Sequence, residues 1–551
     1  MDTFPSKHLL IDGQILFAPL AYLTTYLIDR DGNVNHTWTS NYLPGEGVRW
    51  LGDGAILRTI KVATWGGGGV GGGVQIIQWD GTVSWEYRYS NDFHVSHHDV
   101  LMLPNGNVLL IAWEVKSRQQ AIDAGKNPGF LQGPALWPDH IIEVKPTGPT
   151  SGTIVWQWHV WDHLIQDYDP SKSNYGVVAG HPELVDINYG LDSTADWLHV
   201  NSIDYNPALD QILISAHNFG EVWIIDHSTT TQEAAGHTGG CYGHGGDLLY
   251  RWGNPQAYRT GTAADQIFFN QHDATWIKSG RPGAGDILVF NNGGERLYSS
   301  VDEFTPPLKS DGNYTLQPGS AYGPTNLTWT YTATPPQNLY NFHLSGAERL
   351  TDGDTLICSA ESGYFFEINA QKMKVWEYSN THGPKKEVFK IVFIPPSQPP
   401  KWPNLDCSGS LSWTKVHPGD TVTGRFYVRN IGADGSLLNW SVNTSQLTWG
   451  NWTITPKSGE DLTPGAGNVT VLVSVVAPNE TKGDFQGYIH VYNLQNASDS
   501  KDISVTMTTS LCDPAPMPRG GLLYYLRTIL ASWQYHHRID LIFHWFLHCR
   551  F

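Results

Sequence analysis

Along roughly the first 380 residues, short apolar runs alternate with turns of Gly, Asn and Asp in a pattern that repeats. One unit is an apolar run, a turn and a strand-like stretch ending in Trp. It reads VQIIQWDGTVSWEY (74–87), HIIEVKPTGPTSGTIVWQW (140–158), VWIIDH through GDLLYRW (222–252), NLTWTY (326–331) and FFEINAQKMKVWEY (365–378). A sixth copy, TYLIDRDGNVNHTW (25–38), opens the series. A second unit places histidine before a Gly-, Asn- or Asp-rich turn and a β-like apolar run. It is found in HHDVLMLPNGNVLLIA from His97, HVNSIDYNPALDQILISA from His199, QHDATWIKSGRPGAGDILVF from Gln271 and HLSGAERLTDGDTLICSA from His343. Repeats of about 40–50 residues, each worth roughly four strands, predict a β-propeller. Six Trp-ended copies predict six blades.

The N-terminal copy lacks its histidine half, so the strand-like KIVFIPP (390–396) is expected to pair with it and close the ring, hiding two sheet edges. In such a ring the first strand of each blade lines the central channel. His98, His199, His272 and His343 should therefore meet at one end of one funnel. Their registers differ: His98 and His272 stand five residues before the aligned apolar position, His199 six and His343 seven. Side chains alternate faces along a strand, so an odd offset demands a bulge or a different place on the rim. The Trp residues that close the units (Trp38, Trp85, Trp252, Trp329, Trp376) read as core.

Composition narrows the partners. The chain has 551 residues, more than one domain's worth, with 16% charged residues, 57 Gly and 33 Pro. A net charge of −18 argues against nucleic acid, which needs a basic stripe. It leaves room for a small anion held by a few local cations. Five cysteines are too few and irregular for a disulfide framework. The N-terminal MDTFPSKHLLIDGQILFAPLAYL is a poor signal peptide, interrupted by Asp2 and Asp12. Six of nine N-x-S/T sequons fall between Asn439 and Asn496, which suits a glycosylated surface or simply Asn-rich loops.

The propeller is expected over 1–396 and a Pro-rich linker over 397–408. Alternating strands without histidine units fill 409–510, the pattern of a seven-stranded immunoglobulin-like sandwich. Residues 511–551 are aromatic and apolar but broken by Arg, His and Asp, with no run of about 18 apolar residues to form a transmembrane helix.

The stretches TYLIDRDGNVNHTW, HHDVLMLPNGNVLLIAWE, DWLHVNSIDYNPALDQILISAHNFGEVWIID, YRWGNP, NQHDATW, GAGDILVFNNGGER and SGAERLTDGDTL stand in order across about 20–380. Together they resemble the bacterial and archaeal arylsulfate sulfotransferases. The resemblance implies a six-bladed propeller that moves a sulfuryl group from an aryl sulfate to an acceptor phenol, with no cofactor and no nucleotide donor. It implies an active site of three histidines and an arginine: His199 in LHVNS, His272 in NQHDA, Arg296 in NNGGER and His343 in NFHLSGAE. His343 would be the residue that becomes sulfated. An extracytoplasmic location (periplasmic, secreted or cell-surface) follows from the resemblance, not from the N-terminus. Oligomeric state does not follow from it.

The chemistry suits these residue types. A neutral imidazole is a competent nucleophile near pH 7. The planar guanidinium of Arg296 would match sulfuryl oxygens. A second histidine would protonate the departing phenolate and later deprotonate the acceptor, a contribution of about 10²–10⁴-fold. His272 is assigned that role and His199 the oxyanion donor, with exchange of the two left open. Trp276, Trp197 and Trp65 are candidate aryl-stacking walls, and His98 a substrate contact or a structural neighbour.

A histidine ring also suits zinc or copper, but the only supporting spacing is HTGGCYGH (His237, Cys241, His244), which reads as an incidental glycine-rich loop; no metal site is expected. DRDGN (29–33) reads as a hairpin turn rather than a calcium loop. GGGGVGGG (66–73) is followed by neither helix nor lysine and reads as a loop over the funnel rather than an anion cradle. The rival functions are a non-catalytic surface propeller that adheres or binds carbohydrate, and a metal-dependent hydrolase.

Overall fold

The computed structural model describes residues 10–190, 195–396, 403–432, 436–494, 496 and 499–510. Residues before 10, the first part of the predicted linker and the 511–551 tail lie outside the described residues. The protein is all-β, with two compact units, Met1–Ser397 and Gln398–Phe551.

The first unit contains six four-stranded antiparallel sheets. Their innermost strands are Val388–Ile394, Pro44–Trp50, His94–Met102, Val200–Asn206, His272–Trp276 and Gly346–Arg349. Each neighbours the next in that order, and Gly346–Arg349 returns to Val388–Ile394, so the six close on themselves. Closure is made as the sequence predicted. Val388–Ile394 pairs antiparallel with Gln14–Pro19, Gln14 opposite Ile394 and Phe17 opposite Ile391. A single sheet thus joins the two ends of this unit.

The recurring Trp does more than fill space. Trp38, Trp85, Trp252 and Trp376 are buried, while Trp329 is half-buried. Several indole N–H groups reach a carbonyl in the following sheet. Trp85 donates to Ser151, Trp158 to Gly246, Trp252 to Pro324 and Trp376 to Arg30, at 2.6–3.0 Å. Each ring buries a large apolar surface between sheets while its one polar atom stays satisfied.

The register problem in the histidine units is solved by bulges. Pairing slips between Pro44 and Val48, Ser96 and Val100, Val200 and Ile203, and His272 and Thr275. Within or beside these slips, backbones turn left-handed at Glu46 (φ 110°), His98 (φ 51°), His199 (φ 54°) and Asp273 (φ 52°), with Leu344 and Ser345 doing the same in the last sheet. An inserted residue lets neighbouring polar side chains face the axis where strict alternation would hide one of them.

Beneath the bulges the axis is filled by charge. Asp99 accepts from Arg49 Nη2 at 2.6 Å and from Lys390 Nζ at 2.7 Å, and Lys390 also reaches Asp273 at 2.7 Å. Lys390 and both its carboxylate partners are buried, and Arg49 is half-buried. Lys390 lies on the closing strand, so one ammonium ties it to the third and fifth sheets.

The second unit is built of two sheets around a common core that includes Leu405, Phe426, Trp440, Val471, Ile489 and Val505. One sheet runs Leu405–Ser408, Thr421–Asn430, Val469–Val476, Asn451–Thr455; the other runs Leu411–Val416, Ser500–Thr509, Asp484–Asn493, Leu438–Asn443, Ser458–Leu462. The described residues hold nine strands rather than the seven expected. The first lies inside the stretch predicted as linker, because Leu405 is fully buried and its strand pairs with Thr421–Asn430.

Candidate active site

At the mouth of the closed ring the bulges gather imidazoles into an arc. His97 Nδ1 meets His98 Nδ1 at 2.8 Å, the His98 and His199 rings lie 4.5 Å apart, His199 and His217 5.0 Å, and His217 and His272 5.2 Å. His98, His199 and His272 are therefore together, as the repeat predicted. His343 joins them at the rim, close enough to His217 to depress its pKa. His217 is not marked by the histidine-led repeat. It lies in the connection after the second strand of its sheet.

The members of the arc differ in charge. Burial, reinforced by neighbouring imidazoles, drives His98 and His272 well below the ordinary histidine pKa. It lowers His97 and His217 to about 3. His199 goes the other way. Burial opposes its charge, but Asp196, 2.5 Å from Nδ1, together with Asp139 and Glu46, raises its pKa. Burial also lifts Glu46 to about 7 and Asp139 well above the carboxylate range. His199 is thus favoured as a proton carrier beside four imidazoles, His97, His98, His217 and His272, that burial holds neutral.

Hydrogen bonds fix what each ring can do. His272 Nδ1 donates toward Asn292 Oδ1 (2.9 Å) and the Asn270 carbonyl (3.1 Å), while Nε2 accepts the Leu344 N–H at 3.2 Å. Both nitrogens are engaged. His343 is half-exposed, with Nδ1 2.8 Å from Glu361 Oε1, which also accepts the His343 backbone N–H. Glu361 thus holds the His343 backbone and stands at ion-pair distance from its ring. Arg296, in the turn Gly294–Arg296, folds back on its own sheet. Its guanidinium donates to Ser300 Oγ at 3.2 Å and covers the rings of Tyr298 and Phe269.

Aromatic surface borders the arc on one side. Trp113 stacks on His97 at 3.9 Å and lies 6.1 Å from His199; Trp137 is 5.9 Å from Trp113, and Trp65 4.9 Å from Trp137. Trp65 and Trp137 are partly exposed. The glycine run crosses this region. A side chain at Gly69 would strike the His98 ring at 2.0 Å, and one at Gly68 would come within 3.9 Å of His199.

The other two tryptophans lie elsewhere. Trp276 ends the strand that His272 begins, about 13 Å along at the rise of a strand, beside Arg281 and Glu348. Trp197 is buried against Phe219 and Lys126, its indole N–H given to the Tyr189 carbonyl.

Fold and site together define a closed-ring β protein with an axial imidazole cluster. The family model described as arylsulfotransferase (ASST) matches residues 21–393, more than half of the chain. The chain belongs to that family, and so to a class of sulfotransferase enzymes acting on small aryl substrates. No curated protein matches it. Among solved structures, a Bacteroides caccae protein of unknown function is 13% identical over 70% of this chain and 99% of its own, with a TM-score of 0.40. A virginiamycin B lyase from Staphylococcus aureus is 10% identical over 69% of this chain and 91% of its own, TM-score 0.32. Among the described residues no helix is long and apolar enough to cross a membrane.

Proposed function

We propose that the first unit is a six-bladed propeller catalysing transfer of a sulfuryl group from an aryl sulfate to a phenol through a sulfated His343. The second unit is read as an immunoglobulin-like sandwich, and the family resemblance favours an extracytoplasmic location. The observation that carries the mechanism is the exposed His343, held by Glu361 at the rim of a cluster in which His199 binds its proton more tightly beside Asp196.

In the first half-reaction the Nε2 lone pair attacks sulfur and the S–O bond to the aryl group breaks. The departing phenolate takes the proton of the His199 imidazolium, whose charge Asp196 stabilises. In the second half-reaction His199 takes the acceptor's proton, the phenolate oxygen attacks sulfur, and the N–S bond returns its electrons to His343. Of the two exchangeable roles, proton transfer goes to His199, because both nitrogens of His272 are already bonded. His272 instead positions the Leu344 backbone beside the nucleophile. To hold the sulfuryl oxygens, Arg296 must turn from Ser300; its Nε has no partner among the described residues. Trp65 and Trp137 offer the aryl ring a wall, whereas Trp276 and Trp197 are too far along or too deeply packed.

Incubation with 4-nitrophenyl sulfate and a second phenol tests the reading. It expects transfer, and intact-mass detection of one sulfuryl group on His343 when the acceptor is withheld. Full transfer by His343→Ala would overturn it. Binding of a glycan without turnover would favour the adhesive alternative.

A further inference from the structure

We propose that His163, His237 and Asp247, none of them part of the arc, form a zinc site with an open position beside a surface cleft. His163 ends the short helical turn Val160–His163, which follows the third sheet; His237 and Asp247 lie in the long connection between Glu221–Asp226 and Tyr250–Trp252. Nδ1 of His163 and Nδ1 of His237 each lie 2.8 Å from the same Asp247 Oδ1.

The orientation of His163 makes this more than a polar contact. Its side chain is fully buried, stacked under Trp158 at an interplanar angle of 6°, and its Nε2 is 2.9 Å from the Ala234 carbonyl. A carbonyl accepts only, so Nε2 carries hydrogen and Nδ1 is the nitrogen turned toward Asp247. Nδ1 and the Asp247 oxygen face one another across the place where a metal ion would be held. Metal-bound imidazoles are held in this way, the outer nitrogen donating to a backbone carbonyl. The neighbouring position is Gly246, where a Cβ would lie 2.0 Å from the Ala234 oxygen and 2.6 Å from His163 Nε2. The loop is thus shaped around the ring.

Two imidazoles and one carboxylate suit Zn²⁺, with a fourth position left for water or an anion. Tetrahedral zinc would separate its donors by about 3.3 Å. The two 2.8 Å contacts must therefore open by about half an ångström, and His237, 60% exposed, is free to give that. His237 also lines a cleft of about 610 Å³ with Trp161, Asp162, Tyr175 and His181, which gives the fourth position access to solvent. Of the HTGGCYGH loop only His237 takes part; Cys241 and His244 supply no donor to this group.

The test is zinc binding by the full chain, stripped with a chelator and reloaded with zinc alone, followed by elemental analysis and chelator competition. His237→Ala removes an exposed ligand and leaves the buried His163 in place; Asp247→Asn keeps the shape. Each is expected to lose one zinc equivalent relative to the parent, or to bind it more weakly than the about 10–100-fold cost of losing an outer partner. Zinc should raise the melting temperature of the parent and not of His237→Ala, while the metal-free forms melt alike. Unchanged stoichiometry and affinity in both variants, or no zinc equivalent in the parent, would overturn the site.

Discussion

The Lys390 ammonium stands 2.7 Å from the Asp273 carboxylate, and Asp273 is the residue next to His272. The closing strand is thereby bonded to the bulge that presents the histidine, and through Asp99 to the bulge that presents His98. Ring closure and the shape of the site share one buried ion cluster.

Lys390→Met therefore leaves two buried carboxylates facing each other. Loss of one partner from such a network costs about 3–5 kcal/mol, and denaturant unfolding of the first unit should register it. Arg49 remains on Asp99, so Asp273 bears most of the penalty, and Lys390→Met/Asp273→Asn should recover part of the stability.

His199→Gln should lower turnover by about 10²–10⁴-fold. The loss should be largest for donors with poor phenolate leaving groups and smallest for 4-nitrophenyl sulfate, whose phenolate needs least help from a proton. Asp196→Asn removes the main support for the His199 charge, so the alkaline limb of the pH–rate profile should move to lower pH.

Glu361→Gln keeps a hydrogen-bond acceptor near His343 but removes the charge that polarises its imidazole. Sulfation of His343, followed in a single turnover, should slow, with donor binding little changed. An equal loss in binding would mean that Glu361 touches substrate instead.

Acid sensitivity follows from the arc. His97 and His217 bind protons only near pH 3 when folded, but at their ordinary pKa of about 6.5 when unfolded. The unfolded chain thus binds more protons between those values, and stability falls as pH drops from 6.5 toward 3. Glu46 has the opposite sign. Its folded value of about 7 lies above its unfolded one, so its contribution is complete below about 4.5 and is lost as pH rises through 7. Thermal melts of His217→Gln should flatten the acid limb, and those of Glu46→Gln the limb between 4.5 and 7.

Gly69→Ala tests the loop over the arc. Its backbone is left-handed (φ 76°), and a methyl there has no room beside His98. The variant should fold but bind the aryl donor more weakly, read as a rise in KM.

Much of this was legible in the repeats. Trp-ended strands and histidine-led strands marked the closing strand and the meeting of His98, His199 and His272. The residues overlooked sit in the connections after the second strands. Ser215-Ala216-His217 and Ser359-Ala360-Glu361 are aligned copies, and comparing them would have brought both connections to the rim with Arg296. Trp276 was misplaced for want of one rule: a residue four positions along a strand from a rim histidine stands at the other end of the channel. The direction in which Arg296 folds, and the Asp196 partner of His199, depend on packing that no spacing encodes.

The pairing of Gln14–Pro19 with Val388–Ile394 also sets a timetable for biosynthesis. At roughly 5–20 residues per second, about 20–75 s pass between emergence of the first strand and of its partner. Throughout that interval the nascent first sheet carries a bare edge, and Asp273, once made, waits for its cation. Until translation has passed Ile394, a chaperone has a defined place to bind.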